Sequence, residues 1–208
     1  MKNNTLALGP VETFELEQGT PEWWDVRMGI ATASNFTKVK AGGEGKIRWR
    51  YMRMLAGEQI TRMPAETFRN DAMDRGTAQE PALRSLYALM TNNEPIPCGF
   101  MRRRLGDYMI GCSPDSLIET KGMLEIKSAA AHVLIEVVEG NQIPPEHVAQ
   151  CQGSLLVSGR EYCDLFIGCP GMRPFYKRIL RDEAYITMLA NFLDVFNREL
   201  AQMVERHK

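Results

Sequence analysis

Hydrophobic positions run at helical spacing through the first part of the chain, alternate through the middle, and return to helical spacing at the end. Between residues 75 and 90, Leu83, Leu86, Tyr87 and Met90 fall at i, i+3, i+4 and i+7, the stripe of an amphipathic helix. Thr20 before Pro21 reads as an N-cap with proline at the first helical position. It predicts a short helix through Trp23 and Trp24 that Met28, Gly29 and Ile30 break, after which Ala33 and Ser34 open another. Residues 41–45 predict a flexible loop. Residues 46–61 predict a helix that carries Trp49 and Tyr51 among its arginines, both read as packing residues.

The period then shortens. Residues 100–110, 116–118 and 123–127 read as strands, with Thr120, Lys121 and Gly122 as the turn between the last two. Pro144 and Pro145 start a helix with Val148, Cys151, Gln152 and Leu155 on its apolar side. Residues 162–167 and 175–180 are two more strands. A last helix sets Ile186, Leu189, Leu193, Phe196, Leu200 and Met203 at steps of three and four, most simply for core packing. With no internal repeat and no dividing linker, residues 1–208 are expected to form one α/β domain, a sheet with helices before, between and after its strands.

Composition narrows the class. The chain is 44% hydrophobic and 25% charged, which excludes a disordered or low-complexity protein. No apolar run reaches the roughly 18 residues of a membrane span. The start of the chain does not resemble a secretory signal, so a cytoplasmic location is expected. Five cysteines without a C-x-x-C pair point to reduced, mostly buried thiols, not to disulfides or a thiolate zinc site.

The net charge is −1, but it is unevenly distributed. Residues 36–63 hold seven basic residues against two acidic ones, and Arg102, Arg103 and Arg104 form a second cluster. From residue 182 onward five acids face three bases. A chain polarised in this way can bind DNA on one face, and the stretch with Lys46, Arg48, Arg50 and Arg53 is the candidate track; a merely solvated surface is the alternative.

The chemistry concentrates between Ser113 and Lys127. Folded as a hairpin about Thr120 and Lys121, the segment sets Asp115 opposite Glu125 and Ile126. Glu125 and Lys127 are two apart in a strand and share a face, while Ile126 points the other way. Two carboxylates with room for water make a hard-oxygen site suited to Mg²⁺, with Mn²⁺ as a substitute. A surface hairpin with a Glu–Lys pair is the plainer reading. Glu80 adds a third acid, because it falls on the apolar stripe of its own helix and must there meet a metal or an arginine. His147 and Gln150, three apart on one helical face, are placed to hold a water or a phosphate oxygen, or simply to face solvent.

Pro114-Asp115 followed by Glu125-Ile126-Lys127 resembles the PD-(D/E)xK nuclease signature. The surrounding blocks narrow the resemblance. Arg27-Met28-Gly29-Ile30 with Ala33-Ser34, Arg75-Gly76-Thr77 with Glu80-Pro81, the run from Gly111 to Asp115, and Gln150-Cys151-Gln152 are similar, in this order, to the phage lambda exonuclease (YqaJ-type viral recombinase) family over roughly residues 20–180.

The resemblance implies a restriction-endonuclease-like core with a central mixed sheet flanked by helices. It implies a magnesium-dependent exonuclease that digests the 5′-ended strand of linear duplex DNA and leaves a 3′ overhang for a single-strand annealing protein. It also implies a ring-shaped homotrimer around the DNA and a phage or prophage origin. Carried over by position, Glu80, Asp115 and Glu125 would be metal ligands, joined by the main-chain carbonyl of Ile126. Lys127 would serve the nucleophilic water and Gln150 would support the site. Arg27, Ser34 and Ser113 would grip a 5′-phosphate, and Met73 would be the apolar wedge at the duplex end. The chain departs from the pattern in two places. Residues 128–133 lack the basic phosphate-binding residue, and His147 stands where an aromatic is expected. A structure-selective endonuclease on the same core, or a DNA-binding or assembly protein with a dead site, are the competing readings.

Overall fold

The protein is described by a computed structural model covering residues 6–40, 45–65 and 71–208, with side chains from residue 76 onward in the helix that begins at Asp71. The expected loop at residues 41–45 falls, but for Gly45, outside the described residues. The side chain of Met73 also lies outside them.

Two mixed sheets flanked by helices organise the chain, in keeping with the expected mixed α/β architecture. The first contains β1 (Leu8–Phe14), β2 (Ala31–Thr32), β4 (Phe100–Leu105) and β5 (Tyr108–Cys112), in the order β1-β4-β5-β2. The second contains β3 (Ile96–Pro97), β6 (Ser116–Ile118), β7 (Gly122–Ser128), β8 (Tyr162–Gly168) and β9 (Phe175–Leu180), in the order β3-β6-β7-β8-β9. The short segment Ser113–Asp115 carries the chain from one sheet to the other, so it lies where two strand ends meet. Residues 100–110 are therefore two strands and not one. Leu105 pairs with Tyr108 across a two-residue turn, and Gly106 takes φ +58°, a conformation that glycine adopts without strain.

Most of the helices follow their sequence signals; the helix Ala131–Gly140 is one that the sequence reading does not predict. α1 (Pro21–Arg27) starts at Thr20, whose side chain accepts the N–H of Trp23. Ala33–Asn35 form a single 3-10 turn ahead of the short α2 (Phe36–Lys40). Ser34 thus sits inside that turn and does not cap a helix; Thr32 occupies the cap position. α3 (Lys46–Thr61) and α4 (Asp71–Thr91) follow. The parallel crossover from β7 to β8 carries α5 (Ala131–Gly140) and α6 (Pro145–Ser158), and α7 (Glu183–His207) closes the chain. No helix among the described residues is long and apolar enough to cross a membrane.

Two layers of apolar packing sandwich the second sheet. One face of β7 turns Leu124 and Ile126 toward Leu83 and Tyr87 of α4, with Ile118 and Phe166. The opposite face of β7 carries Met123, which joins the larger core of α2, α3, α6 and α7. The six apolar residues read along α7 are all buried there, as core packing requires. On α4, Leu83 and Tyr87 are buried but Met90 is 49% exposed, because the helix has passed the edge of the sheet by its last turn. Val148 of α6 is only half-buried, and Ala149 faces inward beside Cys151, Gln152 and Leu155.

Candidate active site

β6 and β7 form the antiparallel hairpin expected from the sequence, with Ser116 opposite Leu124, so Asp115 meets the strand one step further along at Glu125. The Oδ2 of Asp115 accepts the main-chain N–H of Ile126 at 2.5 Å. Glu125 and Lys127 share the other face of β7, and Lys127 Nζ donates to Glu125 Oε1 at 2.6 Å. Gln150, from α6, donates its amide to the same Glu125 oxygen. Four of the residues singled out in the sequence thus converge: Asp115, Glu125, Lys127 and Gln150.

Glu125 is buried and Asp115 is half-buried beside it. The Asp115 carboxyl is pushed well above the usual carboxylate range, first by burial and next by the negative charge of Glu125. Lys127 and the Ile126 N–H pull the other way without cancelling the effect. For Lys127, burial alone would lower the pKa, but the carboxylates of Glu125 and Asp115 outweigh it and hold the ammonium protonated well above its ordinary range. Lys127 Nζ thus donates to Glu125 as a charged group in the metal-free site.

Glu80 approaches Asp115, since one Arg84 nitrogen contacts both the Glu80 carboxylate and the Asp115 main-chain oxygen. Its carboxylate, however, is ion-paired to Arg84 one turn along α4. Arg84 was not singled out from the sequence, although its i+4 spacing from Glu80 is the signal that could have found it. Arg84 also donates from Nε to Ser116 Oγ at 2.8 Å and from a terminal nitrogen to the main-chain oxygen of Asp115 at 3.2 Å. Among the described residues no three acidic, histidine or cysteine side chains converge closely enough to hold a metal by themselves. The donor set nonetheless fits a hard divalent cation. Asp115 and Glu125 bring hard carboxyl oxygens together beside one ammonium in a partly desolvated place, and a divalent ion there favours the ionised form of both acids.

Two of the expected phosphate residues, Ser34 and Ser113, lie at one end of the first sheet. β2 and β5 run parallel with Thr32 beside Gly111, so Ser34 and Ser113, each two residues further on, leave the sheet at the same end. Ser34 is exposed and Ser113 half-buried. The Tyr51 hydroxyl accepts the N–H of Thr32 at 3.1 Å, two residues before Ser34. The Arg27 guanidinium lies 4.4 Å over the Trp23 ring, and its buried Nε has no hydrogen-bond partner. An unanswered donor on a buried arginine is a place for an anion. Gly29 holds the turn after α1 at φ +67°, and its N–H is fixed by Glu58 at 2.8 Å.

On α3, Lys46, Arg50 and Arg53 are exposed. Arg48 is not available to a ligand: it is 7% exposed, ion-paired to Glu199 at 2.6 Å, and stacked over Phe196. Trp49 packs half-buried against the core, and Tyr51 is buried against Phe196. His147 is half-buried near Lys127, and burial together with that positive charge pushes its imidazole below the ordinary value.

The family model of the YqaJ-like viral recombinase domain matches residues 22–161. None of the curated proteins matches the chain. Among solved structures, the alkaline exonuclease LHK-Exo from Laribacter hongkongensis is 29% identical, with a TM-score of 0.82, over 90% of this chain and 95% of that one. The same enzyme in complex with dAMP matches at a TM-score of 0.82 and 29% identity, over 91% of this chain and 96% of that one. A phage-related exonuclease from Haemophilus somnus 129PT shares the fold at a TM-score of 0.66 and 11% identity, over 86% of this chain and 96% of that one.

Proposed function

The chain belongs to the family of YqaJ-like viral recombinase domains, nucleases of recombination, and from that premise we propose that it is a metal-dependent 5′→3′ exonuclease acting on linear double-stranded DNA. The observation that carries the reading is the convergence of Asp115, Glu125 and Lys127, with Asp115 on the Ile126 N–H and Lys127 Nζ on the Glu125 carboxylate. Asp115, Glu125 and the main-chain carbonyl of Ile126 would hold Mg²⁺ or Mn²⁺, with Glu80 as a further ligand. Bound there, the ion would polarise the scissile phosphate and make its water a nucleophile at neutral pH.

The chain's own residues supply the rest. Lys127 stabilises the extra negative charge that gathers on the phosphate oxygens as water adds. Gln150 fixes the Glu125 carboxylate, so the two acids keep their mutual geometry. Arg27, Ser34 and Ser113 hold a terminal 5′-phosphate and keep the strand in register after each cut. Lys46, Arg50 and Arg53 track the backbone of the duplex, and His147 lines its path as a neutral group. LHK-Exo binds dAMP, a mononucleotide of the kind that an exonuclease releases. A ring-shaped homotrimer around the duplex, a single-strand annealing protein as recipient of the 3′ overhang, and the cytoplasm of a bacterial host as the setting, with a phage or prophage origin, complete the proposal.

The experiment is incubation of linear and covalently closed circular duplex with Mg²⁺, and again with EDTA. Loss of linear DNA only, and only with the metal, supports an exonuclease. Cutting of the closed circle would instead favour an endonuclease on the same core. Binding without cleavage of either would favour a DNA-binding or assembly protein.

A further inference from the structure

We propose that Arg84 is the positioning residue and internal counter-cation of the acid cluster, and that a divalent ion entering the site displaces its guanidinium from Glu80. The inference rests on the reading of Asp115, Glu125 and Glu80 as metal ligands.

Arg84 projects from the face of α4 that meets the second sheet, between Glu80 one turn before it and Tyr87 one turn after it. Its planar fork joins α4 to the Asp115–Ser116 segment. Nε reaches Ser116, which is fully buried at the start of β6. One terminal nitrogen reaches both the Glu80 carboxylate and the main-chain oxygen of Asp115. Ser116 closes the loop by donating to that same Asp115 oxygen at 2.6 Å. The backbone that presents the Asp115 carboxylate is thus held from a helix remote in sequence.

Charge gives the second half of the argument. The carboxyl groups of Glu80, Asp115 and Glu125 crowd against two cations, Lys127 and Arg84. Lys127 is engaged with Glu125, so Arg84 is the cation that answers Glu80. An incoming divalent ion that takes a Glu80 oxygen must replace that pairing, and the nearby guanidinium charge opposes its arrival. The Nε bond to Ser116 does not involve Glu80, so Arg84 can stay tied to the Asp115 main chain through Ser116 while the terminal nitrogen leaves Glu80. A lysine would keep the charge but, as a point donor, would lose the fork that bridges Ser116 and Glu80.

The test titrates Mg²⁺ into metal-free, full-length protein by calorimetry and follows the Arg84 Nε–H resonance in the wild type, identified by its absence from R84K. In the wild type that resonance should shift with the same midpoint as the binding heat. Arg84→Gln removes the opposing charge and should lower the half-saturating Mg²⁺ concentration by at least about threefold. Arg84→Lys should leave that concentration unchanged but slow cleavage. In an Glu80→Gln background, adding Arg84→Gln should change affinity far less. A wild-type resonance that stays still while heat is released would overturn the proposal, whether or not the variants fold. So would an R84Q protein whose Mg²⁺ affinity is unchanged or weaker. No binding heat in the wild type would instead defeat the metal reading itself, and this inference with it.

Discussion

Asp115 accepts the main-chain N–H of Ile126 at 2.5 Å, which ties the carboxylate to the strand whose neighbouring residues are Glu125 and Lys127. That bond fixes the first acid relative to the second through main chain, with no second side chain from the catalytic set. It also explains how two carboxylates are kept together despite their repulsion: the hydrogen bond and the Lys127 charge offset part of it.

Replacing either acid should therefore separate chemistry from binding. Asp115→Asn and Glu125→Gln should each reduce cleavage by on the order of 10²–10³-fold or more. Duplex binding, measured by anisotropy, should stay near wild type because lysine and arginine carry it. Lys127→Met should also fail to cleave while retaining calorimetric Mg²⁺ binding, since an ammonium is not a ligand. Near-normal turnover by either acid variant would remove both from the site.

His147 gives a pH dependence with a defined sign. Its folded-state value lies below the ordinary one because of burial and then the Lys127 charge. Such a group contributes stability above its unfolded value of about 6.5, and that contribution is lost as pH falls through the folded value. Thermal melts of the metal-free protein at falling pH should show a loss that His147→Gln reduces. An identical pH profile in the variant would contradict the assignment of this burial.

The basic face of α3 divides by exposure. Charge reversal at Lys46, Arg50 or Arg53 should each reduce the magnitude of the log–log salt slope of DNA binding by about 0.9 where a phosphate contact is lost. Arg48→Ala should leave the slope unchanged and cost stability instead, about 1–3 kcal/mol for its charged hydrogen bond to Glu199. A salt slope that responds to Arg48 and not to Arg50 would reverse this division.

Asp164 anchors α4 from the far side. It is fully buried on β8 and accepts Tyr87 Oη at 2.6 Å, Tyr176 Oη at 3.2 Å and two Arg178 nitrogens at 2.8 and 2.9 Å. Asp164→Ala leaves those donors unanswered and should destabilise the protein by about 3–5 kcal/mol in chemical denaturation. A loss below about 1 kcal/mol would show that water replaces the carboxylate there.

The hairpin and its acids were legible because their geometry is local. A turn at residues 120–122 and a strand period of two are enough to bring Asp115 to Glu125. The Glu80–Arg84 pair was half-legible, since the sequence demanded a partner for Glu80 but offered both a metal and an arginine. Contacts between distant parts of the chain were hidden. Nothing near Arg48 announces Glu199, and nothing near Asp164 announces Tyr87. β1 was missed because it is an edge strand with Pro10 inside it and mostly exposed side chains, so no alternating pattern develops. α5 was missed for the opposite reason. Val133, Leu134, Ile135, Val137 and Val138 crowd ten residues with no capping side chain, and such a run does not distinguish helix from strand.

The most direct measurement of the central claim uses linear duplex labelled at the 5′ end of one strand and the 3′ end of the other, with and without a 5′-phosphate, in Mg²⁺. The account predicts early release of the 5′ label as mononucleotide, a growing 3′ overhang, and a preference for the phosphorylated end that Arg27→Ala abolishes. Release of the 3′ label first, or equal rates on 5′-phosphate and 5′-hydroxyl ends in the wild type, would contradict it.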